Sequence, residues 1–235
     1  MEHSTGEQRD LERLREHVHY LAFDLDGTVT DSAGAIAANY QETFRIFHMP
    51  PPDASAVFPL IGLPLEDVLR TLIPDGADLP EAEIVAWRDC YREIYDDVAL
   101  PLTTLFPGVR ETLQRLVDLG FVCNLATSKR RSGAEAVLAY CGIRHFFTVV
   151  AGSDVAVEPK PHPAMLQWLM AELDCEPQHL LMTGDTTFDL NMGRSAGSFT
   201  CGVTYGVHTR AMLDVCRPDA VIDSFPQVLE LLGQE

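Results

Sequence analysis

Residues 20–32 form the stretch YLAFDLDGTVTDS. Its apolar start predicts a short buried strand. Asp24 and Asp26 follow with one residue between them, so they share a face of an extended chain, and Gly27 permits a tight turn close to a ligand. Two like charges at this spacing repel unless a cation offsets them. The stretch therefore predicts a metal-assisted phosphoryl site, with one carboxylate as nucleophile and the other as acid/base. An Asp-rich turn at a strand end is the alternative.

The composition favours a globular chain that does not bind polyanions. The 235 residues are 46% hydrophobic and carry a formal net charge of -18. This can bury a sizeable core, as one domain or as a domain with an insert. The charge argues against nucleic acid and anionic membranes as partners, because both attract basic surfaces. No apolar run has membrane-spanning length, and the polar N-terminus argues against a secretory signal.

The reactive and basic residues add two expectations. Six cysteines are scattered without a CxxC pair, which favours reduced thiols and a cytoplasmic location. An anionic substrate would be repelled by the field of the whole protein, so it would need a metal or a few well-placed bases. Lys129 and Lys160 are the only lysines of the chain.

Two hydrophobic patterns divide the chain. Residues 33–100 show helical spacing without a convincing alternating strand, which predicts an all-helical block. From residue 101 onward strand and helix patterns alternate, which predicts a doubly wound parallel sheet of the α/β class. We therefore predict a catalytic core of residues 1–32 and 102–235 and an inserted helical cap of residues 33–101. Residues 1–19 are an N-terminal extension of the core, with a helix over 7–18. The later strands are predicted at 121–126, 146–151, 180–183, 199–203 and 220–222.

Polar motifs follow the predicted strands, where a doubly wound sheet places its ligand. Thr127 and Ser128 suit a phosphate oxygen, with a helix N-cap as the alternative. Lys160 lies between two prolines, and its stiff ammonium suits a phosphoryl group or an aspartate pair; a solvated lysine is the alternative. Asp185 suits a hard cation. Asp189 suits a metal-bound water or the orientation of Lys160, and both acids also suit a helix N-terminus.

These motifs appear in the order Asp-x-Asp, Thr/Ser, Lys and Gly-Asp-x-x-x-Asp, and this resembles the four motifs of the haloacid-dehalogenase-like superfamily. The resemblance covers residues 20–230. The position of the helical block is similar to the cap of the phosphoglycolate-phosphatase-like group, and so is the segment 197–208. The resemblance implies a Rossmann-like core with a helical cap. It also implies a Mg²⁺-dependent phosphatase of small phosphorylated metabolites, present as a monomer or homodimer.

The resemblance also implies catalytic roles. Asp24 attacks phosphorus and becomes an aspartyl phosphate, and Asp26 acts as general acid and then general base. Mg²⁺ is held by Asp24, Asp185 and the backbone carbonyl of Asp26. Lys160 neutralises charge, and Asp189 supports the site from behind these groups.

Further residues are implied to contact the substrate. The phosphoryl oxygens are bound by Gly27, Thr127 and Ser128. Substrate choice falls on cap residues, for which the candidates are Gly62, Arg45 and Arg70. For the two arginines, a solvated helix surface is the alternative.

Other activities of the superfamily fit less well. Dehalogenases lack the acid at Asp26, and phosphonate-cleaving members need a cap lysine, which residues 33–100 do not contain. β-Phosphoglucomutase-like sugar-phosphate mutases carry histidine and arginine where this chain has Ile36 and Leu65. Inorganic pyrophosphatase and a non-catalytic module that binds a phosphorylated ligand stay open as alternatives.

Overall fold

The main sheet places the first strand at its centre. The structure is a computed structural model that describes residues 6–234. Within these residues, six parallel strands follow the order β5-β4-β1-β6-β7-β8. They are β1 (Tyr20–Phe23), β4 (Val122–Ala126), β5 (Val150–Ala151), β6 (Leu180–Gly184), β7 (Phe199–Val203) and β8 (Ala220–Ile222). The predicted α/β class with a doubly wound parallel sheet is confirmed.

The register of β1 sets the position of the site. Tyr20 pairs with Val122 of β4 on one side and with Leu180 of β6 on the other. All three strands therefore end at the same edge of the sheet, and the residues that follow them meet there. Ala22 and Phe23 point to opposite faces of the sheet and have no exposed surface, so the strand is buried on both faces.

Helices cover both faces of this sheet. Leu14 of the first helix is fully buried, so the helix packs on the core and agrees with the one predicted over 7–18. The core helices are α1 (Gly6–His17), α7 (Val109–Asp118), α8 (Arg131–Tyr140), α9 (Ala164–Leu173), α10 (Thr187–Ala196), α11 (Arg210–Val215) and α12 (Gln227–Leu231). Residues 1–5 of the predicted extension and residue 235 lie outside the described residues. None of the described helices combines the length and apolar character needed to cross a membrane.

Residues 33–100 form only helices and their connecting turns and loops, as predicted. Its helices are α2 (Ala33–Ile46), α3 (Ala54–Val57), α4 (Leu65–Leu72), α5 (Glu81–Glu93) and α6 (Tyr95–Val98). Aromatic rings form its centre: Phe47 stacks on Trp87 at 4.0 Å, and Tyr40 lies 4.5 Å from Tyr91. We call residues 33–101 the cap, and its status as a separate domain stays a prediction.

Two features differ from the sequence prediction. The strand predicted at 146–151 is only β5, because residues 144–146 form a 3₁₀ turn before it. Two short strands that we did not predict, β2 (Thr30–Asp31) and β3 (Thr104–Leu105), pair antiparallel. Two residues are too few to show an alternating pattern. This pair joins the two places where the chain passes between core and cap.

Candidate active site

The ends of β1 and β6 bring three carboxylates together. The backbone amide of Asp24 donates to the carbonyl of Thr183 at 2.9 Å, which continues the β1–β6 pairing to the strand end. Asp24, Asp185 and Asp189 are buried, and each offers a carboxylate oxygen within 4.8 Å of the others. The structure therefore brings Asp24 of the first predicted motif together with both acids of the fourth.

Lys160 lies inside this cluster. Its Nζ donates to Asp24 Oδ1 at 2.7 Å, to Asp189 Oδ1 at 2.6 Å and to the carbonyl of Ala126 at 2.8 Å. Burial by itself lowers the pKa of Lys160, but the carboxylates of Asp189 and Asp24 outweigh it and raise the pKa above its ordinary value. Lys160 is therefore a charged ammonium, not the solvated loop lysine of the alternative.

Asp189 is satisfied by protein donors on both of its oxygens. Oδ1 accepts from Lys160, and Oδ2 accepts from the backbone amide of Thr186 at 3.1 Å and from its hydroxyl at 2.6 Å. Thr186 and Asp189 form a capping box at the start of α10. Of the two roles predicted for Asp189, the contacts favour the orientation of Lys160.

Asp185 sits in a space that only glycines leave open. A Cβ atom added at Gly27 or at Gly206 would overlap its carboxyl group. Gly27 also has φ +89°, a conformation that other residues rarely adopt. Asp185 Oδ1 accepts from Thr28 Oγ1 at 3.0 Å, and Oδ2 accepts from the amide of Val207 at 2.8 Å. The carboxylate is therefore fixed in position by its neighbours.

The charge balance of this cluster fits a divalent cation. Three buried carboxylates face one ammonium. Burial, followed by the neighbouring carboxylates, raises the pKa of Asp24 well above its ordinary value, and burial and Asp189 raise that of Asp185 to about 7. Asp24 Oδ2 receives no hydrogen bond from any described residue. Oxygen ligands with excess negative charge suit a hard cation, so Asp24 and Asp185 could hold one.

Asp26 lies above the cluster with its own pair of donors. Ser32 Oγ donates to Asp26 Oδ1 at 2.7 Å, and Lys129 Nζ donates to Oδ2 at 2.6 Å. Lys129 Nζ also lies 4.7 Å from the ring centroid of Tyr95, a cap residue. We did not predict a role for Lys129 from the sequence. The available signal was the rarity of lysine, since the chain has only two. In the structure each of them contacts one aspartate of the Asp-x-Asp pair.

A cavity of about 750 Å³ between cap and core contains most of the predicted site. Thr127 Oγ1 accepts from the amide of Lys129 at 3.2 Å, and Ser128 Oγ donates to the carbonyl of Gly62 at 2.7 Å. Asp185 and Asp189 are buried beneath the cavity. The predicted residues that line it are Asp24, Asp26, Gly62, Thr127, Ser128 and Lys160.

The two candidate arginines of the cap lie elsewhere. Arg45 is exposed and pairs with Glu42 at 2.8 Å. Arg70 donates to the carbonyls of Gly76 and Leu79 at 3.3 and 3.0 Å and also binds Glu81. The structure brings neither arginine to the cavity, where the cap arginine is Arg92. Arg45 agrees with the solvated alternative, and Arg70 stabilises a turn of the cap.

Ile36 and Leu65, the positions that differ from the mutases, both line the cavity. Neither side chain can move a proton or bind an anion. The two departures noted in the sequence thus lie in the cleft.

The comparisons with known proteins agree with this geometry. The family model described as haloacid dehalogenase-like hydrolase matches residues 21–203. A protein of Dickeya dadantii named "Probable phosphatase IndB" is 34% identical over 209 residues, which cover 88% of this chain and 90% of the relative. A phosphoglycolate phosphatase of Vibrio vulnificus is 32% identical over 226 residues, covering 93% and 97%.

A solved structure extends the likeness to the fold. The crystal structure of a predicted phosphoglycolate phosphatase from Haemophilus somnus has a TM-score of 0.84 and 26% identity. The match covers 91% of this chain and 97% of that one. With the family model matching most of the sequence, the chain belongs to the haloacid dehalogenase-like hydrolase family.

Proposed function

We propose that this hydrolase is a Mg²⁺-dependent phosphatase of a small phosphorylated metabolite, of the phosphoglycolate type, and that it works through an aspartyl phosphate. The observation that carries the proposal is the buried cluster of Asp24, Asp185, Asp189 and Lys160 at the floor of the cleft. The relatives named phosphoglycolate phosphatase support the substrate class.

Asp24 is the proposed nucleophile. Lys160 holds its Oδ1 at 2.7 Å and leaves the carboxylate at the cavity wall, where a phosphorus atom can approach. When the Asp24–phosphorus bond forms, the bond from phosphorus to the leaving oxygen breaks. Lys160 stays charged and offsets the negative charge that collects at the floor.

Asp24, Asp185 and the backbone carbonyl of Asp26 are the proposed Mg²⁺ ligands. When bound, Mg²⁺ supplies positive charge that stabilises the transferring phosphoryl group. Asp185 is held by Thr28 and Val207, so it presents its carboxylate in a fixed orientation. Asp189 acts from behind by fixing Lys160.

Asp26 is the proposed acid/base. As an acid it gives its proton to the oxygen that leaves, and as a base it later takes a proton from the water that attacks the aspartyl phosphate. Thr127, Ser128 and the amide of Gly27 are proposed to bind the phosphoryl oxygens. The Gly27 amide donates to the Thr30 carbonyl at 2.8 Å in this structure and would have to exchange that acceptor for the phosphoryl group. Ser128 Oγ is engaged by Gly62 in this structure, so Thr127 has the hydroxyl better placed for this role.

Gly62 is the proposed specificity position of the cap. It lines the cavity, has φ +100°, and a Cβ there would lie 3.3 Å from the side chains of Phe188 and Thr186. A larger residue would therefore push the cap loop off the core. We also propose a cytoplasmic location, which the six free cysteines of the described chain support.

The test is phosphate release from a panel of substrates, with Mg²⁺ and with EDTA. The panel contains phosphoglycolate, sugar phosphates, nucleotides, pyrophosphate and p-nitrophenyl phosphate. We expect Mg²⁺-dependent turnover of one small ester. Preferred turnover of pyrophosphate would instead support the pyrophosphatase alternative.

Asp24→Asn tests the nucleophile in the same assay. Loss of the attacking carboxylate should lower kcat by about 10³-fold or more, while circular dichroism and thermal unfolding show a folded protein. Retained turnover in Asp24→Asn would refute the covalent mechanism. The proposed phosphatase activity would be refuted if the folded wild-type protein released phosphate from no member of the panel.

A further inference from the structure

Both donors to the Asp26 carboxylate connect it to the cap. Ser32, which donates to Oδ1, is the residue that immediately precedes cap helix α2. Lys129, which donates to Oδ2, lies under the ring of Tyr95 in cap helix α6. The donors to Asp26 are thus core residues that adjoin the cap, whereas the donor to Asp24 contacts only core residues.

The core segment that carries Lys129 touches the cap at two points. Ser128 Oγ donates to the carbonyl of Gly62, in the loop before α4. Lys129 Nζ lies 4.7 Å from the ring centroid of Tyr95, in α6. Thr127, the residue before this pair, is buried at the end of β4. A movement of the cap would thus act directly on residues 128 and 129.

We propose that Lys129 is a positioning residue that couples the position of the cap to the orientation of Asp26. This rests on the proposed acid/base role of Asp26. A lysine side chain is flexible, and the ring of Tyr95 restricts the ammonium by a cation–π contact. With Tyr95 in place, the ammonium holds Asp26 Oδ2. Without it, the ammonium can turn toward solvent, and Asp26 loses one of its two donors.

The expected defect is specific to one proton transfer. In the first step the Asp24–phosphorus bond forms, the ester bond breaks, and the proton of Asp26 passes to the leaving oxygen. An alkyl leaving group needs this proton, whereas p-nitrophenolate leaves as an anion. The ratio kcat/KM includes the steps up to the first irreversible one, so it reports this transfer. Misplacement of Asp26 should therefore lower kcat/KM more for the alkyl ester than for the aryl ester.

The experiment compares kcat/KM for phosphoglycolate, or the best alkyl phosphate of the panel, with that for p-nitrophenyl phosphate. We expect Lys129→Met to lower kcat/KM by about tenfold or more for the alkyl ester, which is a part of what an acid catalyst contributes. For the aryl ester we expect kcat/KM to fall by less than about threefold. Lys129→Arg should restore part of the alkyl rate, because guanidinium also pairs with carboxylates and rests on aromatic rings.

Variants of Tyr95 test the proposed coupling independently of Lys129. Tyr95→Phe keeps the ring and should lose less of the alkyl rate than Tyr95→Leu, which removes it. Phe47→Leu is the matched control, because Phe47 is a cap aromatic that stacks on Trp87 and does not line the cavity. Phe47→Leu should lower kcat/KM for both esters equally or for neither.

A spectroscopic readout separates position from activity. With ¹³C-labelled lysine, the chain gives signals from only Lys129 and Lys160. The ring of Tyr95 should shift the Lys129 signal, and Tyr95→Leu should remove this shift while Tyr95→Phe keeps it. Equal losses on both esters in Lys129→Met, or equal rates in the two Tyr95 variants, would overturn the inference. Failure of the wild type to hydrolyse either ester would instead refute the proposed function.

Discussion

Each of the two lysines of the chain forms an ion pair with one aspartate of the Asp-x-Asp motif, and the two pairs differ in burial. Lys160 binds Asp24 with a side chain that is 2% exposed, and its other acceptors, Asp189 and the Ala126 carbonyl, also belong to the core. Lys129 binds Asp26 with a side chain that is 16% exposed, and its second neighbour is Tyr95 of the cap. Both pairs join core residues, but only Lys129 also contacts a residue of the cap.

This difference separates what must be fixed from what can respond to the cap. The floor of the cleft, around Asp24 and Lys160, is set by strand ends that the sheet holds in register. The roof, around Asp26 and Lys129, also includes the contact between Lys129 and Tyr95, which forms only when the cap lies on the core. We therefore expect changes at the floor to alter stability and activity together, and changes at the roof to act mainly on activity.

Among changes that keep every proposed catalytic side chain, the largest effect is expected at Gly206. In Gly206→Ala the new Cβ would overlap Asp185, so the carboxylate must move. A displacement of about 1 Å in an active site costs about 10²-fold in rate, and we expect at least this loss in kcat/KM. The measurement is Mg²⁺-dependent phosphate release.

Gly34→Ala in cap helix α2 is the control for Gly206→Ala. A Cβ at Gly34 has no neighbour within 4 Å. This change should stabilise the protein by no more than the about 0.5–1 kcal/mol found in a helix interior, because Gly34 lies in the first turn of α2. Full activity in Gly206→Ala would show that the floor is not rigid and would remove the basis of the comparison.

The next prediction compares the two lysines by their effect on stability. Lys160→Met leaves the three acids of the floor without a counter-charge, and breaking a buried pair costs about 3–5 kcal/mol. Lys129→Met affects a pair whose side chains are 16% and 12% exposed, so we expect a smaller loss of about 1–2 kcal/mol. Urea unfolding in EDTA measures both, and equal losses would contradict the distinction between floor and roof.

Much of the floor could be predicted from the sequence. Asp24, Thr127, Lys160 and Asp185 each follow a predicted strand or its loop, and parallel strands end at one edge of a sheet. This argument needs only the order of the strands, so it brought together residues far apart in the chain. The family motifs gave the same set.

The roof could not be predicted in the same way. The contact of Tyr95 with Lys129 depends on how the cap docks, which neither periodicity nor motif order determines. Arg45 and Arg70 illustrate the same problem, because their helices were predicted but the direction of each side chain was not. The β2–β3 pair was missed because each strand has only two residues.

Mg²⁺ should stabilise the floor in a way that depends on Asp185. A ligand at about 100 times its Kd stabilises the folded state by about 2.7 kcal/mol, so Tm should rise with Mg²⁺ in the wild type. Asp185→Asn should lose most of this rise, since it removes a proposed ligand. Asp118→Asn, on the exposed side of α7, should keep it. The same rise in Asp185→Asn would place the ion elsewhere.

The smallest effect is expected at Arg45. This variant tests whether a cap residue must contact the cleft in order to affect KM. Arg45 and Glu42 form a pair whose side chains are 55% and 40% exposed. Such surface pairs contribute less than about 1 kcal/mol, and solvent screening lowers this further. Arg45→Ala should therefore change the free energy of unfolding by less than about 0.5 kcal/mol and leave KM within about twofold. Arg70→Ala, which loses hydrogen bonds to two carbonyls, should destabilise the cap by about 1 kcal/mol with the same KM. An increased KM in Arg45→Ala alone would mean that the end of α2 reaches the substrate when the cap moves, and the roof would then extend beyond the residues that line the cavity here.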